Sequence, residues 1–377
     1  MIIEVTGTGT GNKGAELLLC AIKKKLTGVS NVKLAVNPEF GSYESRGKYG
    51  LLQKIQCKSW TINEFALGLL SHSFLSSYGL IKESQISGIM DASGFAFSDQ
   101  LPFRRIEQFS ACCKRWKSQK KTIVLLPQAL GPFNKEEFKR TFQYIANSVD
   151  LIFARDSDSY QYATQAVAPE TKNIFKAPDI TIDIQPDLAS TPRLNNGVVL
   201  LVPNVRMLDK TNQEQAKIYP SFLAKCADVC RAENLTPKIL IHDSNEDDQL
   251  IHLVQKETQD TLDVVRESDP VKLKGIIKQA NMVIGSRFHA LAGALSSGTP
   301  AMAVGWSHKY QHLFEDFHCP EMIIKLHISP EKLKEKLRTL VNERHERSEQ
   351  LRHRSVQLKA ELDIMWKKVF HTFGISS

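Results

Sequence analysis

Hydrophobic and polar positions along this chain repeat one theme: a short apolar run, a turn, then a stretch with helical spacing. Apolar runs occupy residues 2–6, 32–36, 88–91, 122–126 and 151–154. Turn residues bound each run and helical segments separate them, which predicts buried parallel strands. A second series follows at 198–202, 238–241, 262–264, 282–284 and 301–304. Between the two series, Ser190-Thr191-Pro192-Arg193-Leu194-Asn195-Asn196-Gly197 has the composition of a linker. Two successive α/β series of similar size predict two Rossmann-like doubly wound domains facing a cleft. The expected divisions are 1–190, 197–330 and a long charged helical segment over 331–377.

In open parallel sheets, ligands bind beyond the carboxyl ends of the strands, so the residues after each apolar run are the candidates. After the first run, Gly9, Gly11 and Gly14 satisfy G-x-G-x-x-G ahead of a helix-forming stretch. Glycines there let backbone approach a ligand, and helix N-terminal N–H groups attract anions. A dinucleotide fold would next need an acidic residue closing the second strand. That strand ends instead in Asn37-Pro38, and the bulky Lys13 precedes the third glycine. The loop is therefore read as facing a substrate, with Asn12 and Lys13 as polar contacts. The plainer reading is a tight turn only.

The second candidate is the corner GSRFHALAGALSSGTPAMAVGWSHK at 285–309. Gly285-Ser286 ends a strand, Arg287 and His289 follow at alternate positions, and a small-residue helix begins. Cations at a helix N-terminus are unfavourable unless an anion is present. Arg offers a planar fork for phosphate or carboxylate, and His donates a proton near neutral pH. His308 and Lys309 follow the next strand and are expected on the same rim. The plainer reading pairs Arg287 with a structural carboxylate and leaves His289 a satisfied imidazole.

Composition narrows the classes. The 377 residues are 42% hydrophobic and 24% charged, as in a soluble globular protein. No uninterrupted apolar run reaches the roughly 18 residues of a spanning helix. The start, MIIEVTGTGTG, lacks a basic region followed by an apolar stretch, so a cytoplasmic protein is expected. Seven irregularly spaced cysteines give neither a disulfide framework nor paired zinc ligands. The net charge of +8, concentrated in 332–368, favours an anionic substrate or membrane face. Nucleic acid is not expected as a partner, because no zinc-finger, RNP-type or basic-zipper pattern is present.

The stretch GSRFHALAGALSSGTPAMAVGWSHKYQHLFEDF resembles the signature of the polysaccharide pyruvyl transferase family. Further segments resemble the family in order: GNKGAELLL, DASGFAFSD, LLPQALGPF, FARDSDSY, APDIT and the acidic IHDSNEDD at 241–248. The resemblance implies a fold like the GT-B glycosyltransferases. It also implies transfer of the enolpyruvyl group of phosphoenolpyruvate (PEP) onto two hydroxyls of a sugar, with release of phosphate. The acceptor would be a polysaccharide or lipid-linked glycan precursor, the latter at the inner membrane face. No cofactor is expected beyond PEP as donor, and no metal ligands are assigned.

Carried onto this chain, the family's Arg-x-His falls on Arg287 and His289, and the Arg of its Arg-Asp segment on Arg155. His289 is the expected general acid. Arg287, Arg155, Ser286, His308 and Lys309 are expected at PEP. Asn12, Lys13, Ser93, Gln128 and Asp179 are expected on the acceptor side, where Asp91, Asp156 and Asp179 are the acidic candidates. The chain departs from the family at Ala92-Ser93-Gly94, where a glycine triplet is common, and at Gly14-Ala15-Glu16, where Gly-Asp is common. The competing expectations are a GT-B glycosyltransferase using a nucleotide sugar, and a non-catalytic binding module whose Arg287 corner is filled by internal salt bridges.

Overall fold

The computed structural model describes residues 1–29, 31–55, 70–243, 247–258, 260–304 and 308–376, the side chains of 308 and 309 excepted. It divides into two compact units, Met1–Ile180 with Glu361–Ser377, and Thr181–Ala360.

In the first unit the strands are β1 (Ile2–Thr6), β2 (Lys33–Val36), β3 (Leu52–Lys54), β4 (Leu80–Ile81), β5 (Gly88–Asp91), β6 (Phe95–Phe97), β7 (Thr122–Leu130), β8 (Leu151–Ala154) and β9 (Ile174–Lys176). They form one parallel sheet in the order β4-β3-β2-β1-β5-β7-β8-β9, with β6 pairing on β7. The central strands are buried on both faces, as their unbroken apolar runs require. Beneath them, Phe133 stacks on Phe142 at 4.4 Å, and Phe97 meets Phe109 edge-on. Strand β7 continues through Pro127, where the sequence pattern ends it. The register against β8 shifts between Leu125 and Gln128, so the residue without an N–H sits where the ladder is already interrupted.

The second unit holds β10 (Val198–Val202), β11 (Thr236–Ile241), β12 (Val264–Arg266), β13 (Met282–Gly285) and β14 (Ala301–Ala303). All pair in parallel in the order β12-β11-β10-β13-β14. The strand read at 262–264 lies instead at Val264–Arg266. Gly285 permits the closest approach of neighbouring strands: a Cβ there would lie 2.6 Å from the Val202 carbonyl oxygen. That approach lets Ser286 N donate to Val202 O at 3.1 Å and fixes where the chain leaves β13.

Two expected divisions fall elsewhere. The segment after Ile180 belongs to the second unit, because Lys274 Nζ donates to Thr181 O at 2.8 Å and Gln279 Nε2 to Pro192 O at 2.9 Å. The linker composition marks an irregular segment pinned to the helix Pro270–Gln279. The C-terminal stretch forms the helices Pro330–Asn342 and Arg344–Phe373, and its residues divide between the two units. Within the second unit Ser355 Oγ donates to Ser296 O at 2.9 Å; within the first, Lys25 pairs with Asp363 at 2.6 Å. Among the described residues, no helix is long and apolar enough to cross a membrane.

We predict that Gly285→Ala destabilises the second unit by about 1–3 kcal/mol through overpacking. Its urea midpoint falls at unchanged slope; an unchanged midpoint would refute the register of β10 against β13.

Candidate functional site

In the second unit the chain runs from β10 outward to β11 and β12, then returns to β13 on the other side of β10. Connections diverge at the β10/β13 carboxyl ends, and such a switch point leaves a crevice for ligands. Asn204 follows β10, His242 and Asp243 follow β11, and Ser286 and Arg287 follow β13.

Ser286 is fully buried and acts as the hub. Its hydroxyl shares a 2.8 Å hydrogen bond with the Tyr219 hydroxyl. Its carbonyl accepts from Asn204 Nδ2 at 2.6 Å and from the Tyr310 hydroxyl at 2.7 Å. Asn204 N in turn donates to the Tyr219 oxygen at 3.2 Å. Burial pushes the Tyr219 hydroxyl up and the Tyr310 hydroxyl up to about 12, so both remain protonated donors at neutral pH.

Arg287 occupies the N-cap position of the helix Phe288–Ser296. Its Nε donates to Asp247 Oδ2 at 2.9 Å, its Nη2 to Asp247 Oδ1, and its Nη1 to Asp243 Oδ2 at 3.1 Å. Asp247 has no exposed surface, and its Oδ1 also accepts from Val205 N at 3.0 Å. Two carboxylates thus face one guanidinium. His289 lies two residues beyond Arg287, half-buried, with its ring edge-on to Phe288 at 5.3 Å. The corner combines an arginine fork, a titratable imidazole and the partial positive charge of a helix N-terminus.

The first unit has its own switch point, between β1 and β5. There Asp91, 1% exposed, closes β5 and accepts four hydrogen bonds. Thr6 Oγ1 and Ser93 Oγ each donate to Oδ2 at 2.8 Å, while Ser93 N at 3.3 Å and Gln128 Nε2 at 3.1 Å donate to Oδ1. Gly7, at φ +76°, passes so close that a Cβ would lie 2.2 Å from Ser93 Oγ. Gln128 is fully buried, and its Oε1 has no partner among the described residues.

The structure separates the expected site residues into groups. Ser286, Arg287 and His289 come together, but Ser286 is buried behind the corner and Arg287 is held by Asp243 and Asp247. The backbone of His308 and Lys309 begins the helix His308–Asp316; their side chains and residues 305–307 lie outside the described residues. Ser93 and Gln128 meet at Asp91. Asn12 and Lys13 do not join them: Asn12 Oδ1 caps the helix Lys13–Leu26 through Ala15 N at 3.0 Å, and Lys13 pairs with Glu16 at 3.1 Å. Arg155 and Asp179, expected at donor and acceptor respectively, are both buried and bond to each other at 3.1 Å. Asp156 caps the helix Ser157–Gln165, its Oδ1 accepting from Ser159 N at 2.7 Å. Asn204, Tyr219 and Tyr310 carry no pattern signal. Asp243 and Asp247 show in the sequence only as part of an acidic segment.

Against solved structures, the fold is similar to a glycosyltransferase from Rickettsia africae ESF-5, at 13% identity and TM-score 0.58 over 100% of this chain and 99% of that one. It is also similar to a putative UDP-N-acetylglucosamine 2-epimerase from Listeria monocytogenes, at 10% identity and TM-score 0.57 over 97% and 96%. The fold is GT-B-like, built from doubly wound parallel α/β units. The family model described as Polysaccharide pyruvyl transferase matches residues 12–308, and the chain belongs to that family. A curated relative, the amylovoran biosynthesis protein AmsJ of Erwinia amylovora, is 23% identical over 225 residues, 54% of each chain. The chain thus matches about half the length of that relative.

Burial pushes the Asp91 carboxyl up, against four donated hydrogen bonds that favour its charged form. We predict that Asp91 keeps its proton in the folded state at a pH where the unfolded chain has lost it. Its contribution to stability is then full below the ordinary value of 3.8 and is lost as pH rises through the raised folded value. Urea midpoints of wild type, taken relative to Asp91→Asn, should fall with rising pH across that acid window and flatten above it. A difference that grows with pH would mean that the hydrogen bonds outweigh burial.

Proposed function

We propose that the protein transfers the enolpyruvyl group of PEP onto two hydroxyls of a sugar, in a polysaccharide or a lipid-linked precursor, forming a cyclic ketal. The observation that carries this reading is the family match over residues 12–308, which includes Arg287 and His289 at the second switch point. The relative named for amylovoran biosynthesis supports a polysaccharide or its precursor as acceptor.

The chemistry suits these side chains. One sugar hydroxyl adds to C2 of PEP while C3 takes a proton. The C2–O bond to phosphate then breaks, and the second hydroxyl closes the ketal. Of the two hydroxyl protons, one is balanced by the new methyl hydrogen and the other leaves with phosphate. His289 supplies the proton to C3, and Arg287 contacts an anionic group of the donor. Ser93, gathered by Asp91 together with the fully buried Gln128, is only partly buried and suits an acceptor hydroxyl. A lipid-linked acceptor would place the work at the cytoplasmic face of the membrane.

The test mixes purified protein with PEP and a panel of galactosides and mannosides, following phosphate release and the mass increment of a pyruvate ketal. Nucleotide-sugar binding with no PEP turnover across the panel would move the protein to glycosyl transfer. His289→Ala is expected to lose ~10²–10⁴-fold in turnover, the range of a general acid, while still binding PEP. A variant with the wild-type rate would remove His289 from the mechanism.

A further inference from the structure

Arg287 presents its partners with two edges. The Nε/Nη2 edge is taken by Asp247, which is fully buried and further fixed by Val205 N. On the other edge, Nη1 meets Asp243 Oδ2 at 3.1 Å, and the side chains of Arg287 and Asp243 are each 11% exposed. One carboxylate is therefore an anchor. The other, less deeply buried than Asp247, takes the Nη1 position that an anionic oxygen would need.

We propose that Asp243 is a built-in competitor for the donor: it holds Arg287 Nη1 when the site is empty and yields that position to an anionic oxygen of the ligand. Asp247 keeps the guanidinium aimed throughout. This rests on the proposed donor, and it explains how an arginine already paired with two carboxylates still binds an anion. A ligand oxygen replaces a charge-assisted hydrogen bond with one of the same kind, so the exchange costs little at Arg287 itself. The competition lowers apparent affinity by the fraction of molecules in which Asp243 is in place.

Asp243→Asn keeps the shape and removes the charge, so it should bind anions more tightly. By calorimetry on the full chain, we expect its affinity for both inorganic phosphate and PEP to rise about tenfold, the scale of one charged hydrogen bond. Asp243→Ser should shift in the same direction, so that a folding failure in one variant leaves the other to decide. Asp248→Asn removes a neighbouring negative charge that pairs with Arg266 at 2.6 Å, and should leave affinity within about twofold, since exposed pairs carry little. Unchanged or weaker binding in folded Asp243 variants overturns the proposal. So does equal tightening in Asp248→Asn, which would be a field effect. Tighter phosphate binding without PEP turnover keeps the inference and removes PEP as donor; PEP turnover in wild type with no gain in the variants does the reverse. If neither wild type nor variants bind either anion, both fall.

Discussion

A guanidinium locked onto a fully buried carboxylate, Arg287 on Asp247, is the interaction on which the second unit's site depends. Its partners leave three different strands. Val205 N comes from the β10 exit, Asp247 from the segment after β11, and Arg287 from the β13 exit. Parallel strands are tied to one another along their lengths, but their diverging connections are not. Removing one member of such a buried pair leaves an uncompensated charge, typically a loss of about 3–5 kcal/mol. The pair therefore makes three loop exits stand or fall together, and Ser286 with its two tyrosines packs the layer behind them.

The first unit solves the same problem without a cation. Asp91 gathers Thr6 from the end of β1, Ser93 from the exit of β5 and Gln128 from within β7, and its four neutral donors take the place of the arginine. The consequence differs in kind. Asp247 has a guanidinium beside it, whereas Asp91 must hold any charge in a buried site on hydrogen bonds alone, and burial raises its affinity for a proton. The two switch points are thus chemically unlike: one built around an ion pair, the other around an uncharged donor cluster suited to hydroxyls.

How much of this the sequence displayed follows from what each feature costs in pattern. Arg287 stood out because a cation at a helix start calls for an anion, and the structure meets that demand internally with Asp247 and Asp243. The strands β5, β8, β10 and β13 were legible because burial on both faces leaves unbroken apolar runs. Strands β3, β4, β6 and β9 are two or three residues long and mixed in character, below any periodic signal. Asn12 and Lys13 fit two readings at once, because a helix cap and a substrate contact call for the same residue types at the same place. Asp247 was hidden because its partner is forty residues away, and spacing carries no trace of a contact that the sheet order creates.

The electrostatics of the second corner also bear on its acid. Arg287 is matched by two carboxylates at the N-terminus of the helix that carries His289, an end where the dipole favours an anion. On the proposed reading, PEP brings a carboxylate and a phosphate with a charge of about −1.5 to −2. Exchanging Asp243 for that ligand therefore increases the negative charge at the corner. On that reading the donor's negative charge arrives at the N-terminus of the helix that carries His289, where the helix dipole already favours an anion.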